Sequence, residues 1–340
     1  MSEWRRPLRI LVTGGAGYIG SHVVRQLREA GHAVIVYDNL STGHRWAVGD
    51  AELVVGDLAD RHHLEAVLAA RAFDAVLHFA AHIWVGESLA EPIKYYRNNT
   101  ANALRLFEAC ARCGVQRLVF SSTAAVYGEP EWVPIPETAP LAPINPYGAS
   151  KMMAERMLAD VAAVCGLRYA ILRYFNVAGA DPLARVGEAT PDNSHLIKVA
   201  LEVALGRRPG LRVNGTDYPT ADGTCVRDYI HVEDLAAAHL AALDYLCAGG
   251  APTVLNCGYG RGRCVREVLD AVRRVTGVRL PVDEGPRRPG DPPVLIADAS
   301  EISRVLNWRP RYDDLEFIVR TAWLWEQRLP DLIAPSQAAE

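Results

Sequence analysis

Val12-Thr13-Gly14-Gly15-Ala16-Gly17-Tyr18-Ile19-Gly20-Ser21-His22 is the stretch on which the fold turns. In front of it, Leu8 to Val12 is a short, mostly apolar run, the pattern of a strand buried on both faces. Behind it, Val23, Val24 and Leu27 recur at helical spacing, and Gly31 is the expected C-terminal stop. A second apolar run, Ala33 to Tyr37, ends at Asp38, eighteen residues beyond Gly20. Strand, glycine-rich turn, helix, strand and acid, in that order, predict a dinucleotide site. The glycines tighten the turn and let the backbone approach a pyrophosphate lying on the helix N-terminus. A carboxylate closing the second strand accepts hydrogen bonds from a ribose diol and repels a 2′-phosphate, so NAD is expected over NADP.

Further strands follow at α/β spacing. Leu53 to Val55 leads to Asp57, where the adenine side of a cofactor would lie. Ala75 to Phe79 runs into Ala80 and Ala81, small residues that let a ligand come close. Leu118 to Thr123 ends in hydroxyls, and Arg168 to Tyr174 ends at Phe175-Asn176, with helical stretches between, as from Asn98 to Cys113. This alternation predicts an α/β fold, a doubly wound parallel sheet of Rossmann type with ligands at the carboxyl ends of its strands. From about Asp181 the segments shorten, and prolines and arginines become more frequent. The expected organisation is an NAD-binding domain over 1–180, with a return segment at about 230–260. A smaller interleaved C-terminal α/β substrate domain takes 181–229 and 261–330, and 331–340 is a loose tail.

Composition excludes several classes. The 340 residues carry a formal net charge of −4, which leaves no electrostatic footprint for nucleic acid or an anionic membrane. No apolar run approaches 18 residues and the first residues contain no signal-peptide h-region, so a cytoplasmic protein is expected. Seven scattered cysteines argue against a disulfide framework. Cys110 and Cys113 form a CxxC without a second pair or a His at metal spacing; they read as structural helix cysteines, and no metal is expected.

Pro146-Tyr147-Gly148-Ala149-Ser150-Lys151 is the candidate reactive segment. On a helix starting at Tyr147, Lys151 stands on the same face, roughly 6 Å away. A phenol titrates near pH ~10, and a neighbouring ammonium together with a second positive group would bring it toward neutrality. Such a pair suits proton transfer with a substrate hydroxyl. Alone, a Tyr and a Lys four apart more often form a solvated helix face. The glycine turn, Asp38 and Thr123 give this pair company at one sheet edge.

Taken together, Gly14-x-x-Gly17-x-x-Gly20, Thr123 after a strand, and Tyr147-x-x-x-Lys151 resemble the extended short-chain dehydrogenase/reductases. Three further blocks, Val85-Gly86-Glu87-Ser88, Arg173 to Ala180 and Asp222 to Val232, are similar to the UDP-hexose 4-epimerase branch of that family, and the likeness runs from about Leu8 to Arg311. The resemblance implies a resident NAD, tightly bound and regenerated each cycle, and a UDP-sugar oxidised transiently at C4 through a 4-keto intermediate. It implies UDP-galactose/UDP-glucose interconversion and a homodimer packed through helices of the first domain. Tyr147 would take the proton of the sugar 4-hydroxyl, Thr123 would hold the 4-oxygen, and Lys151 would bind the nicotinamide ribose. Gly14, Gly17, Tyr18, Ile19, Gly20, Asp38, Asn39, Asp57, Leu58, Phe79, Ala80, Ala81, Asn99, Ser121 and Tyr174 would complete the cofactor site. Arg227 and Arg288 would clamp the diphosphate, with Asp291 on the uridine ribose and Asn176, His195, Leu196, Asn214 and Leu295 along the nucleotide and sugar. Three positions depart from the pattern. Ile83 replaces a Lys found beside the nicotinamide in some members, and Asn214 an aromatic near the uracil. Leu295 replaces a bulky Tyr, so room for an N-acetyl group is expected.

Rival chemistries share the fold. A nucleotide-sugar dehydratase needs an acid/base pair beside its hydroxyl residue, and here Ala124 and Ala125 follow Thr123. A decarboxylase needs a basic subsite that is not evident. A pentose 4-epimerase and a reductase with a dissociable cofactor stay open. A non-catalytic NAD-binding sensor would typically lack Tyr147 or Lys151.

Overall fold

The computed structural model describes residues 6–191 and 193–337; residues 1–5 and 338–340, at the ends of the expected first domain and tail, lie outside them. Strand β1 (Arg9–Thr13), helix α1 (Tyr18–Glu29) and strand β2 (Ala33–Asp38) open the chain, followed by β3 (Glu52–Val55), α2 (Arg61–Ala69) and β4 (Ala75–His78). Two short helices, α3 (Val85–Ala90) and α4 (Pro92–Tyr95), lead through a π turn at Tyr96–Ala101 into α5 (Asn102–Arg112). Then come β5 (Arg117–Thr123), the long α6 (Pro146–Cys165) and β6 (Arg168–Tyr174). The remaining elements are β7 (Asn176–Ala178), α7 (Leu196–Ala204), β8 (Leu211–Asn214), β9 (Val226–His231), α8 (Val232–Cys247) and β10 (Thr253–Cys257). Last are β11 (Gly262–Cys264), α9 (Val265–Thr276), β12 (Val282–Gly285), β13 (Val294–Leu295), α10 (Ser300–Leu306) and α11 (Leu315–Gln337).

The main sheet is parallel throughout, in the order β10-β6-β5-β4-β1-β2-β3. Its order reverses between β1 and β4, and that switch point opens a crevice at the strands' carboxyl ends. The strands are apolar on both faces because both are covered. Val12, Val36 and Leu172 pack with α1 and α8, whereas Leu11, Phe120 and Ile171 pack with α2, α5 and α6. The second region holds β9 between β11 and β13 with β7 on its flank, a separate β8/β12 pair, and a core shared by α7, α9 and α11.

The return segment at about 230–260 takes in the end of β9, then α8 from Val232 and β10. One sequence expectation needs correction. The segment expected to be a loose tail is helical as far as Gln337. Leu329, Leu332 and Ile333 recur at helical spacing and join Trp46 and Trp325 in a small core, which offsets Pro330 just before the segment.

One buried carboxylate holds the glycine turn's helix in place. Glu233, at the start of α8, is bonded to His22 and Arg25 of α1, and Gln26 Nε2 donates to it at 2.7 Å. Burial alone would raise its carboxyl, but the bonds and charge of His22 and Arg25 outweigh this and hold it at about 2. Because the folded value lies below the unfolded one, the stabilisation is fully present above pH ~4.5 and is lost as pH falls toward 2, amounting to about 3 kcal/mol. Urea midpoints measured from pH 5 to pH 3 should therefore fall more steeply in the parent protein than in Glu233→Gln. Parallel curves would contradict this.

Candidate active site

The crevice deepens into a cavity of about 910 Å³, at the upper end for ligand sites. Its floor is the glycine turn. Gly14 has φ +73°, and a Cβ there would lie 2.5 Å from the Ala80 nitrogen; one on Gly20 would lie 2.2 Å from the Gly14 oxygen. Gly14 N–H donates to the Tyr37 carbonyl at 3.0 Å, fixing the turn to the end of β2. α1 then starts from Gly17, with Gly17, Tyr18, Ile19 and Gly20 lining the cavity. Asp38 is held by the Ala16 and Leu40 amides at 2.9 and 2.8 Å; burial pushes its carboxyl up and these bonds oppose the shift. Asn39 Nδ2 donates to Asp57 at 2.7 Å, and Leu58, Phe79, Ala80, Ala81 and Tyr174 complete this half of the wall. A turn with no room for side chains, a helix N-terminus and an oriented carboxylate suit a dinucleotide whose adenosine ribose is unphosphorylated.

Asn99 and Ser121 do not line the cavity. Asn99 is buried behind it, where its side chain bonds the His82 backbone N–H and C=O, both at 2.9 Å, and Ser150 Oγ at 3.1 Å. The π turn just before α5 presents it inward, and its neighbour Asn98 lines the wall instead. The Ser121 hydroxyl shares a 2.9 Å hydrogen bond with His239 Nε2. It also opposes the upward push of burial on the cavity-lining Tyr174 phenol, while the Ser121 carbonyl faces the reactive pair.

That carbonyl receives Lys151. α6 begins with Asn145 as cap, accepting from Gly148 N–H at 2.9 Å, and Pro146 in its first turn, so Tyr147 and Lys151 share the face turned to the sheet edge. Both are buried. Lys151 Nζ donates to the Ser121 carbonyl at 2.8 Å and sits 4.8 Å above the Phe120 ring centre. Tyr147 reaches the cavity and hydrogen-bonds with Thr123, whose hydroxyl also accepts from Ala125 N–H at 3.1 Å. The ammonium one turn away does not by itself lower the phenol. Burial pushes Tyr147 up, opposed by the Thr123 bond, and burial pushes Lys151 down to about 8, with Glu155 opposing. Desolvation dominates the phenol, and the ammonium is engaged by a carbonyl rather than by the phenol.

Across the crevice, Asn176, His195, Leu196, Asn214, Arg227, Arg288, Asp291 and Leu295 all line the same cavity, as does the departing Ile83. Arg227 pairs with Asp291 at 3.0 Å. His195 Nδ1 meets Glu188 at 2.8 Å; burial lowers the imidazole, but the Glu188 charge and bond raise it more. Glu188, Asn193, Lys198 and Glu326 also reach the wall, with Lys198 and Glu326 paired at 2.5 Å while buried. These four were not foreseen, because single polar or charged residues on separate segments carry no motif. Cys110 is on the core face of α5, where burial raises its thiol. Among the described residues no group of three or more His, Cys, Asp or Glu could hold a metal ion, and no helix is long and apolar enough to cross a membrane.

Comparison with known proteins fits this geometry. The NAD dependent epimerase/dehydratase family profile matches residues 10–258. The chain is 55% identical to a UDP-glucose 4-epimerase of Azospirillum brasilense, over 97% of this chain and 95% of that one. The crystal structure of UDP-glucose 4-epimerase from Brucella ovis in complex with NAD superposes with a TM-score of 0.91 at 47% identity, covering 93% of this chain and 98% of that chain. A UDP-Glc/GlcNAc 4-epimerase from Campylobacter jejuni is 49% identical with a TM-score of 0.83, covering 94% and 99%. A profile match over most of the chain, and near-full-length relatives at about half identity, lead to one assignment: the chain belongs to the NAD-dependent epimerase/dehydratase family.

Proposed function

We propose that this protein is a UDP-hexose 4-epimerase that interconverts UDP-galactose and UDP-glucose with NAD as a resident cofactor. The observation that carries the reading is convergence. A dinucleotide cradle, a buried Tyr147–Thr123 pair and two arginines, Arg227 and Arg288, line one cavity. Bound NAD supplies the acceptor for hydrogen from C4 and a positive ring that favours the phenolate. Tyr147 takes the proton of the 4-hydroxyl and gives it back, Thr123 holds the 4-oxygen, and Lys151, fixed by the Ser121 carbonyl, keeps a cation beneath the pair. Arg227 and Arg288 bind the diphosphate through charge-assisted hydrogen bonds, so the sugar can turn over while the nucleotide stays held. Asp291, paired with Arg227 at 3.0 Å, lines the same cavity and would take the uridine ribose. Purified protein given UDP-galactose and no cofactor should form UDP-glucose; a requirement for stoichiometric added NADPH would indicate a reductase instead.

Leu295 leaves the sugar pocket open where a Tyr would fill it, and the similar Campylobacter jejuni protein is named for both sugars. UDP-N-acetylglucosamine should therefore turn over, with kcat/KM within about tenfold of UDP-glucose; no turnover under conditions where UDP-glucose reacts would rule out the open pocket. A UDP-pentose assayed alongside separates the pentose reading. Exposed Leu104 on α5 and Met153 on the adjoining α6 support a homodimer through these helices, which sedimentation at the mass of one chain would contradict. All seven cysteines are unpaired, which suits a reducing compartment such as the cytoplasm; cell fractionation tests this.

A further inference from the structure

Directly behind the reactive pair lies a second buried polar cluster that takes no part in the chemistry above. Glu155 stands one helical turn beyond Lys151 and two beyond Tyr147 on α6. Its carboxylate receives Arg173 Nε at 3.0 Å and Arg173 Nη2 at 2.6 Å, and the Ser122 hydroxyl also donates to it. Arg173 continues the chain. Its Nη1 donates to the Tyr127 hydroxyl at 3.0 Å, which donates to Asn256 Oδ1 at 2.7 Å. Both side chains of the ion pair are 6% exposed.

The position of this cluster in the strand register is what gives it meaning. Ser122 on β5 is directly opposite Arg173 on β6, and the next register pair is Thr123 opposite Tyr174. Glu155 therefore pins α6, which carries Tyr147 and Lys151, to both strands one residue before their cavity-lining ends. Ser122 also follows Ser121, whose carbonyl holds the Lys151 ammonium. A buried ion pair is a poor way to stabilise a fold, since apolar residues of equal volume do as well or better. It is a good way to set a position, because bidentate geometry tolerates little sliding.

We infer that Glu155 and Arg173, with Ser122, are positioning residues for the 4-epimerase reaction, setting the height of Tyr147 against Thr123 and the seat of Lys151. This rests on the 4-epimerase reading. The Glu155 charge additionally opposes the desolvation of Lys151.

The test uses the NAD-loaded protein and UDP-galactose. Glu155→Gln alone strands a buried guanidinium, so the decisive variant is Glu155→Gln/Arg173→Met, which removes both charges. Ser122→Ala, which keeps the ion pair, is the milder companion. Expected for the double variant are a melting temperature near that of the parent, full NAD content, KM within about twofold and kcat lower by tenfold or more. Expected for Ser122→Ala is a several-fold lower kcat with unchanged KM. A folded double variant with kcat within twofold of an active parent would overturn the positioning role. So would lower kcat and NAD content together with a higher KM in both variants, which is what a purely structural role produces. A parent without turnover would overturn the 4-epimerase reading, and this inference with it.

Discussion

Replacing Tyr147 by Phe is expected to lower kcat by about 10³-fold, within the range for loss of a positioned acid/base, while NAD stays bound. The ring keeps its place. It is buried, its edge meets Tyr95 at 6.4 Å, and its helix is capped by Asn145 independently of the hydroxyl. Only the proton-transferring oxygen and its bond to Thr123 disappear. Cofactor content should therefore match the parent, measured as NAD released on denaturation, with KM for UDP-galactose within a few-fold. A variant retaining a tenth of parental kcat would remove Tyr147 from its assigned role.

Gly20→Ala should act on the other half of the site. Its Cβ would lie 2.2 Å from the Gly14 oxygen and 2.8 Å from the Gly15 Cα, both backbone atoms that can yield only by moving the turn. The helix N-terminus then shifts away from the pyrophosphate position, and NAD content should fall by tenfold or more with a lower melting temperature. Gly17→Ala is the internal comparison, because its Cβ meets only the Gly14 oxygen, at 3.4 Å. That variant should melt near the parent, so any loss of NAD in it reports the ligand's own need for space. Equal melting temperatures for Gly20→Ala and the parent would contradict the packing read from the turn.

The dinucleotide half of the fold was legible because its signals are local. A glycine turn between apolar runs, ending in Asp38, leaves few alternatives, and the parallel strands read as buried runs. What misled were positions where a single residue's direction decides. Asn99 sits beside cavity-lining Asn98, yet a π turn sends its side chain into the protein, and the Ser121 hydroxyl is taken up by His239. Spacing along α6 placed Lys151 beside Tyr147 correctly but could not weigh desolvation, which pushes the buried phenol up where the ammonium acts without a second positive group. The Glu188–His195 and Lys198–Glu326 contacts join segments distant in sequence, and nothing in either segment announces its partner. The last helix was missed because Pro330 reads as a breaker, while its apolar spacing matters only once Trp46 and Trp325 are beside it.

Transient oxidation at one carbon, with the same hydrogen returned to that carbon, is what separates 4-epimerisation from the reductase and dehydratase rivals on this fold. It is tested most directly with UDP-galactose carrying deuterium at C4, incubated with the purified protein in ordinary water and analysed by mass spectrometry and proton NMR. The product UDP-glucose should keep the deuterium at C4. Deuterium lost to solvent at C4, or product formed only when reduced nicotinamide is consumed in stoichiometric amount, would contradict it.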